Sequence, residues 1–443
     1  MEIKLSNSFT YGRLFRFAMP SVIMMLFSSI YGVVDGLFVS NFVGKTEFAA
    51  INLLMPVLMI IGAFGFMIGA GGTAVVSKTL GEGEEKLANR YFSLFVYLII
   101  IVGASMSLLG VVFIRPLSMM LGAEGAMLDA CIRYGRIVLA AMPFFMLQNL
   151  FQSFMIVAER PKLGLAVTVC AGVTNMILDA LLILVIPLGL EGAALATSIS
   201  QLVGGVIPVV YFASKNSSQL SLTKTKFYGK AFIRAVVNGS SELMSNISMS
   251  IVTIVYNFQL MRLIGEDGVA ANGIIMYVAF IFIAMFLGFA VGTAPIIGYH
   301  YGAKNTDELG SLLRKGATVM LVAGLTMSVI SITLANPLAT IFAGYDPELV
   351  KITANGLRIH STCFAFASLG IFGSSYFTAL NNGLVSAIIS FTRTLVFQIG
   401  ALLLLPIFLD LNGVWLATPV SEVLSLTLTV ILFIANRKKY KYF

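Results

Sequence analysis

Twelve apolar runs make up most of this chain, and they restrict its fold more than any other feature. Each run is long enough, at about 20 residues or more, for an α-helix to cross roughly 30 Å of hydrocarbon. Hydrophobic residues account for 58% of the 443 residues and charged residues for only 11%. A membrane β-barrel would instead show alternating segments of about ten residues. The sequence therefore predicts an all-α polytopic membrane protein.

One internal repeat is visible, at an offset of 221 residues. Gly192–Gln201 matches Gly413–Glu422, and Gly71–Gly81 matches Gly292–Gly302. Two matches at one offset indicate that a six-helix unit has been duplicated. Because six is an even number, both copies enter the membrane from the same side. The repeat predicts two six-helix lobes related by a parallel pseudo-two-fold axis along the membrane normal.

The links between the apolar runs define the predicted domains and the orientation. The N-lobe is expected at 1–214, a linker at 215–234 and the C-lobe at 235–443. The third run ends at Ile114 and the fourth begins at Ile137, so 115–136 is expected to be a link. Of the 28 Lys and Arg residues, 21 fall on the side that holds both termini. This bias predicts a multi-pass protein of the cell membrane with cytoplasmic N- and C-termini.

Asp35 and Asp179 each stand alone in an apolar run. A carboxylate at this depth costs at least about 2.5 kcal/mol on insertion scales and is a functional-site hypothesis by default. Both lie at similar heights in helices that rise from the same side. Tyr31 shares a helix face with Asp35, Asn175 shares one with Asp179, and Thr197 descends to the same level. The five side chains suit Na⁺ or a shared proton, although Asn and Thr also occur as packing contacts between membrane helices.

The sequence has no pattern that is typical of a nucleic-acid-binding protein, a zinc protein or an enzyme. The net charge of +8 is assigned to the membrane surface, so no nucleic-acid partner is expected. Cys131, Cys170 and Cys363 have no metal-type spacing, which predicts neither a disulfide nor a zinc site. His300 and His360 are far apart and near span ends, where a solvated or interfacial position is expected. An intramembrane enzyme would need clustered acid–base or metal-binding groups, so we expect no enzymatic activity and no cofactor.

Four stretches resemble the multidrug and toxic compound extrusion (MATE) family, and the resemblance covers nearly the whole chain. They are Pro20 with Tyr31-Gly-Val-Val-Asp35-Gly-Leu-Phe-Val, Ala50-Ile-Asn-Leu-Leu-Met-Pro56, Asn175-Met-Ile-Leu-Asp179, and Gly192 with Thr197. The resemblance is strongest to prokaryotic members. It implies a V-shaped fold of two helical bundles.

That resemblance also implies a function. Members export amphipathic organic cations, which would be the small-molecule partners here, and couple export to inward Na⁺ or H⁺. The N-lobe cation site of the family carries over as Tyr31, Asp35, Asn175, Asp179 and Thr197, so any metal bound would be Na⁺ at Asp35 and Asp179. Pro20 matches the proline at which the first helix bends, because a proline removes a backbone hydrogen bond. We expect the protein to act as a monomer.

The sequence also departs from the family. Some members carry a glutamate in span 8 where Val291 stands here, and others an aspartate in span 10, where the run is neutral. Glu242 is the candidate replacement for binding substrate, and a pairing of Glu242 with Arg393 is the alternative. Glu422 could contact a cationic substrate, but a hydrogen bond to a neighbour is the favoured reading. Further cavity candidates, chosen by helix position alone, are Met55, Phe64, Phe154, Tyr256 and Met276.

A flippase for lipid or polysaccharide precursors, from the same broader superfamily, is the alternative function. It would move an anionic substrate and should carry several cavity-facing Arg or Lys residues. Only Arg393 can be placed well inside a span.

Overall fold

The structure, a computed structural model, describes residues 3–344 and 346–442, so the predicted lobe limits at residues 1 and 443 lie outside it. Within the described residues the chain forms helices and no strand. The α-helices are α1 Tyr11–Phe42, α2 Lys45–Gly81, α3 Glu85–Met120, α4 Gly125–Ala140, α5 Met142–Val157, α6 Pro161–Asp179, α7 Gly189–Ala213, α8 Gly229–Ile264, α9 Glu266–Gly302, α10 Thr306–Thr333, α11 Ala335–Ala343, α12 Pro347–His360, α13 Phe364–Ala379, α14 Gly383–Phe391 and α15 Gln398–Tyr440. Two π-helical segments, Ala180–Val185 and Thr392–Phe397, follow α6 and α14, and a 3-10 turn, Ser361–Cys363, joins α12 to α13.

These helices group into the predicted twelve spans. Within the described residues, nine are long and apolar enough to cross a membrane, and α4 with α5, bent by 50°, make a tenth. The continuous helix Gly383–Tyr440 is broken at Asp410, whose φ of 47° is not helical, so it contains two spans. The remaining span consists of α12 and α13, where charged residues lower the hydropathy of α12.

Helices extend into two segments that were expected to be links. In 115–136, α3 continues to Met120 and α4 already begins at Gly125. Arg115, Arg133 and Arg136 interrupt the apolar run, but arginine can lie along a helix with its charged end directed toward water. Similarly, α8 begins at Gly229, inside the predicted linker.

The two halves, α1–α7 and α8–α15, meet through pairs of contacts related by the sequence repeat. A Cβ atom added at Gly81 would overlap the carbonyl oxygen of Tyr299, and one added at Gly302 would overlap that of Lys78. Tyr299 and Lys78 are 221 residues apart, as are Gly302 and Gly81. The ends of α2 and α9 therefore pack backbone against backbone in a reciprocal contact, as expected for two copies related by a two-fold axis.

A second pair of close crossings lies at Gly71 and Gly239, and Gly71 is about three helical turns before Gly81 on α2. A Cβ at Gly71 would overlap the carbonyl oxygen of Ala235 on α8, and a Cβ at Gly239 would overlap that of Met67 on α2. At the repeat-related position, a Cβ at Gly292 of α9 would lie 3.1 Å from the Cα of Ala18 on α1. These crossings hold the halves together on the side that carries the termini.

The segment before α1 also joins the two halves on that side. The Leu5 amide donates to Glu159 of the α5–α6 link at 2.5 Å, and the Phe9 amide donates to Glu308 of α10 at 2.8 Å. Lys315 of α10 donates to the Phe9 carbonyl at 2.5 Å. The ring of His300 contacts the Asn7 carbonyl at 3.2 Å. His300 is only 2% exposed, because this segment covers the end of α9, so of the two expected positions the solvated one was wrong and the interfacial one stays a prediction.

Candidate functional site

The structure brings the two isolated aspartates together. Asp35 lies on α1 and Asp179 is the last residue of α6, and their carboxyl groups are within hydrogen-bonding reach of each other. Asn175, one turn before Asp179 on α6, also reaches the Asp35 carboxyl group. Asp179 is 0% exposed and Asn175 2% exposed. The i, i+4 spacing that predicted this grouping is therefore realised.

Close packing of α1 against α6 brings these residues into contact. The helices approach at Gly172, where a Cβ atom would lie 2.5 Å from the ring of Phe27 and 2.9 Å from the ring of Tyr31. The Tyr31 ring thus packs on α6 one turn below Asn175. Its hydroxyl group is within hydrogen-bonding reach of Gln148 of α5. The small residue at 172 is what permits α1 and α6 to place their polar faces together.

Four oxygen atoms at this site are buried without a donor. Among the described residues, Asp35 Oδ1, Asn175 Oδ1 and both carboxylate oxygens of Asp179 have no hydrogen-bond partner. A buried polar atom left in this way costs about 1–3 kcal/mol, and more when it is charged. Two adjacent carboxylates in low dielectric also repel each other. The arrangement fits a proton shared between the carboxyl groups, or one small hard cation with oxygen ligands.

A change in helix geometry begins immediately after Asp179. The backbone passes from α6 into the π-helical segment Ala180–Val185. Such segments are uncommon and occur frequently at functional sites. The wider turn ends the α-helical hydrogen bonding at the carboxylate itself. It places the aspartate at a junction between two helix geometries.

Two further residues belong to the site and were missed in the sequence. Tyr134 of α4 is 3% exposed and lies within electrostatic range of both Asp35 and Asp179. Gln148 of α5, besides lying within reach of Tyr31, lines a small cavity between α5, α6 and α7. Tyr134 stands between Arg133 and Arg136, whose charges removed this stretch from the predicted spans. A sequence signal for Tyr134 was present, because Tyr134 and Val138 are four residues apart, a spacing that places both on one face of a helix.

Thr197 is not joined to the pair. It lies on α7, half-buried, and its carbonyl accepts a hydrogen bond from Ser200 at 2.8 Å. No hydrogen bond of its side chain to Asp35 or Asp179 occurs among the described residues. Pro20 lies inside α1, which continues through it without interruption. The bending of α1 at Pro20 remains a prediction.

In the second half, Arg393 pairs with Glu422 rather than with Glu242. The Arg393 Nε donates to both carboxylate oxygens of Glu422, at 2.8 and 2.9 Å. The favoured interpretation of Glu422 as a hydrogen-bonding residue is thus confirmed, and the structure does not show the alternative pairing of Arg393 with Glu242. The depth of each residue along its helix could not decide which glutamate pairs with Arg393, because both glutamates lie close to it. Glu242 lies within electrostatic range of the guanidinium and is half-buried on α8.

The cavity candidates divide into two groups. Phe154 is 0% exposed and packs on Phe92 with ring centroids 5.0 Å apart. Tyr256 is 2% exposed and shares a 2.6 Å hydrogen bond with Thr418. Both lie in packed interiors, so their prediction as cavity-lining residues was wrong, since helix position alone does not give the facing direction. The other three are partly exposed: Met55, Phe64 and Met276.

The described part of the chain has no other group of side chains that could hold a metal ion. No cluster of three or more His, Cys, Asp or Glu side chains occurs there. The three cysteines are free thiols. The Asp35 and Asp179 carboxyl groups, with neutral oxygens around them, therefore form a two-acid site. Such a set suits Na⁺ or a proton better than a transition metal, which prefers nitrogen and sulfur ligands.

Comparison with known proteins agrees with this architecture. The family model MatE matches residues 20–181 and 243–402, one segment in each half of the chain. The chain belongs to the MatE family. The two matched segments include both aspartates and Arg393, and they cover most of α1–α6 and α8–α14.

Individual members of the family are similar to the chain over nearly its full length. The Multidrug export protein MepA of Staphylococcus haemolyticus (strain JCSC1435) is 23% identical over 97% of this chain and 93% of its own. A crystal structure of MATE in complex with MaL6 superposes with a TM-score of 0.93, at 22% identity, over 98% of each chain. An outward-facing multidrug resistance MATE family transporter of the MOP superfamily gives a TM-score of 0.92, at 22% identity, over 97% of this chain and 96% of the other. The fold of two six-helix halves is thereby shown.

Proposed function

We propose that this MatE-family protein is an antiporter that exports amphipathic organic cations and drugs while Na⁺ or H⁺ moves inward. The observation that supports this most directly is the pair Asp35 and Asp179, whose buried oxygens lack donors. A site of this kind is stable only when a cation or proton occupies it. The name of the relative from Staphylococcus haemolyticus, a multidrug export protein, agrees with transport of small molecules.

The proposed cycle couples the ion to the two halves. With the halves closed on the terminus side, the coupling ion reaches the two carboxylates from outside and cancels their repulsion. Neutralisation lets α1 repack against α6, and the organic cation leaves outward. The halves then separate on the terminus side, where the ion leaves and a new substrate enters. If one ion enters for each monovalent cation exported, no net charge crosses, and the ion's concentration gradient supplies the driving force.

Glu242 is the proposed contact for the positive charge of the substrate. It lies one helical turn beyond Gly239, the residue at which α8 crosses α2. The residue is half-buried, and its carboxyl group has no hydrogen bond to Arg393 among the described residues. A carboxylate at the base of the space between the halves would attract a cation. Partly exposed Met55, Phe64 and Met276 would offer adaptable apolar contacts to its rings.

Ethidium efflux tests this proposal against its rivals. Cells that express the protein should lose preloaded ethidium faster than cells with the empty vector. The flippase alternative predicts no such difference, because ethidium carries no lipid or sugar and is a cation. Efflux that is the same in both kinds of cell would contradict the proposal.

Cysteine labelling tests the orientation. In a background without Cys131, Cys170 and Cys363, a cysteine at exposed Glu124, between α3 and α4, should react with an impermeant maleimide in intact cells. A cysteine at exposed Lys215, after α7, should react only after permeabilisation. This result follows from the distribution of Lys and Arg. The opposite pattern would place both termini outside.

The neutral groups around the carboxyl pair should set its ion affinity. Tyr31→Phe keeps the ring on Gly172 but removes the hydroxyl group, and Asn175→Ala removes the amide. We expect each to raise the ion concentration for half-maximal export by about fivefold, since one polar interaction contributes about 1 kcal/mol. Thr197→Val, which alters no contact with the pair, should change it less. Equal effects of all three variants in a titration of export against Na⁺ and pH would contradict this assignment.

A further inference from the structure

The buried pair of Arg393 and Glu422 uses only part of the arginine. A guanidinium carries five N–H groups arranged as a planar fork, and pairing with a carboxylate commonly uses two nitrogens. Here Nε alone serves both oxygens of Glu422, at 2.8 and 2.9 Å. Among the described residues, the two terminal nitrogens of Arg393 have no hydrogen-bond partner. The open end of the fork thus points away from Glu422.

That open end is accessible. Arg393 is 16% exposed at its side chain and Glu422 only 6%. The terminal nitrogens are not among the fully buried polar atoms that lack a partner. The pair is therefore anchored in the interior at Glu422, and the terminal nitrogens of Arg393 are the part of the pair that is not fully buried.

Arg393 lies beside α8, the helix that packs against α2 of the other half. The residue lies in the π-helical segment Thr392–Phe397, which packs against α8. α14, just before this segment, contacts α8 near Gly383, where a Cβ atom would overlap the carbonyl oxygen of Val237. Glu242 is five residues farther along α8 and within electrostatic range of Arg393. Arg393 and Glu242 consequently face one region.

This region contains charged side chains of both signs, and their charges do not sum to zero. Glu422 is bonded to Arg393, so this pair is neutral as a whole. Glu242 has no such partner in the described residues and leaves one negative charge. A purely cationic ligand would use Glu242 and leave the fork of Arg393 without an acceptor. A ligand that also carries a carboxylate would satisfy both.

We infer that Arg393 is a substrate-binding residue that accepts an anionic group, so that the second half of the protein favours zwitterionic molecules over plain cations of the same size. Glu242 would contact the positive group and the open fork of Arg393 the carboxylate, a geometry in which a guanidinium can donate two parallel hydrogen bonds. The contact of Glu242 rests on the proposed export of organic cations, whereas the contact of Arg393 does not. Glu422 is a positioning residue, because it holds the guanidinium in place from behind.

A matched pair of dyes tests this inference. Rhodamine 110 carries a carboxylate and a delocalised positive charge, and rhodamine 123 is its methyl ester, a plain cation. The dissociation constants of both dyes for the purified protein in detergent are measured by fluorescence polarisation. The informative quantity is the ratio of the two constants, since it cancels effects that are common to both dyes.

Two variants remove the fork in different ways. Arg393→Lys keeps a positive partner for Glu422 but has no planar fork. Arg393→Gln/Glu422→Gln removes both charges together and so leaves no lone buried charge. The control is Arg133→Gln/Glu191→Gln, which removes an exposed ion pair of 2.7 Å in the other half. Thermal unfolding of each variant verifies that it is folded.

We expect the preference for rhodamine 110 over rhodamine 123 to fall at least about tenfold in both Arg393 variants, as loss of a charge-assisted hydrogen bond would produce. The control should keep the wild-type ratio. An unchanged ratio in the folded variants, or no binding of rhodamine 110 to the wild type, would overturn the inference. If the wild type binds rhodamine 110 in an Arg393-dependent manner but not rhodamine 123, the inference stands and the proposed export of plain cations fails.

Discussion

Replacing Asp179 by asparagine is expected to abolish ion-driven export, reducing the rate at least about a hundredfold, while folded protein and measurable drug binding remain. The same result is expected for Asp35→Asn. A proton or Na⁺ held between the two carboxyl groups needs both of them, because either alone offers half the charge and fewer ligands. Apart from the reach to Asp35, both carboxylate oxygens of Asp179 lack a hydrogen-bond donor among the described residues, so asparagine removes the charge with little other change in contacts.

The double variant distinguishes one shared site from two independent sites. Asp35→Asn/Asp179→Asn should be no worse than either single variant, since a site that has already failed cannot fail again. Asp129→Asn is the matched control, because Asp129 is an exposed aspartate on α4. It should export ethidium at the wild-type rate. Strong gradient-driven export by Asp179→Asn would return this residue to a structural role.

The second large effect is expected where the halves cross. Gly71→Ala places a methyl group on the carbonyl oxygen of Ala235, which is backbone and cannot rotate away. The two helices must separate or distort, and overpacking of this kind costs about 1–3 kcal/mol or more. We expect a melting temperature in detergent lower by several degrees, together with slower export, because the state with the halves closed on the terminus side is the one that is strained.

An open glycine provides the comparison. At Gly400 on α15, an added Cβ atom meets nothing within 4 Å. Gly400→Ala should therefore leave the melting temperature unchanged or raise it slightly, since alanine favours helix. Equal stability of the Gly71 and Gly400 variants would show that the contact of α2 with α8 does not hold the two halves together.

The sequence predicted that Asp35 and Asp179 lie together with Asn175 and Tyr31, because each of these residues has a local signal. Asp35 and Asp179 are single charges in apolar runs, and Tyr31 and Asn175 lie one helical turn from them. The repeat at 221 residues likewise related Gly81 to Gly302, although it did not predict that the ends of α2 and α9 pack against each other. These features depend on spacing along one helix or on the offset between two copies, which a sequence contains.

Features that depend on which way a helix faces were not predictable in the same manner. Arg393 is near two glutamates, and only the packing of α15 against the π-helical segment decides that Glu422 becomes its partner. Phe154 and Tyr256 lie on suitable helices but face packed interiors. Tyr134 was lost because adjacent arginines ended the apolar run. Rotation of a helix and the placement of long charged side chains are set by tertiary contacts.

The two halves share a fold but differ in their polar groups. Among the described residues, the first half has the buried carboxyl pair of Asp35 and Asp179, and the second has an arginine that is bonded to Glu422 and near the unbonded Glu242. In the proposed scheme the coupling ion is therefore handled in the first half, and the charged groups of the substrate are recognised mainly in the second. The contacts of α2 with α8 and α9 link the two.

Ion-coupled export is measured with the purified protein in proteoliposomes, under Na⁺ and pH gradients that are imposed separately. We expect ethidium to move against its own gradient when a gradient of the coupling ion is imposed in the opposite direction. This movement should disappear in the Asp35→Asn and Asp179→Asn proteins. Uphill movement of ethidium by either variant, or a failure of both gradients to drive the wild-type protein, would contradict the proposed coupling.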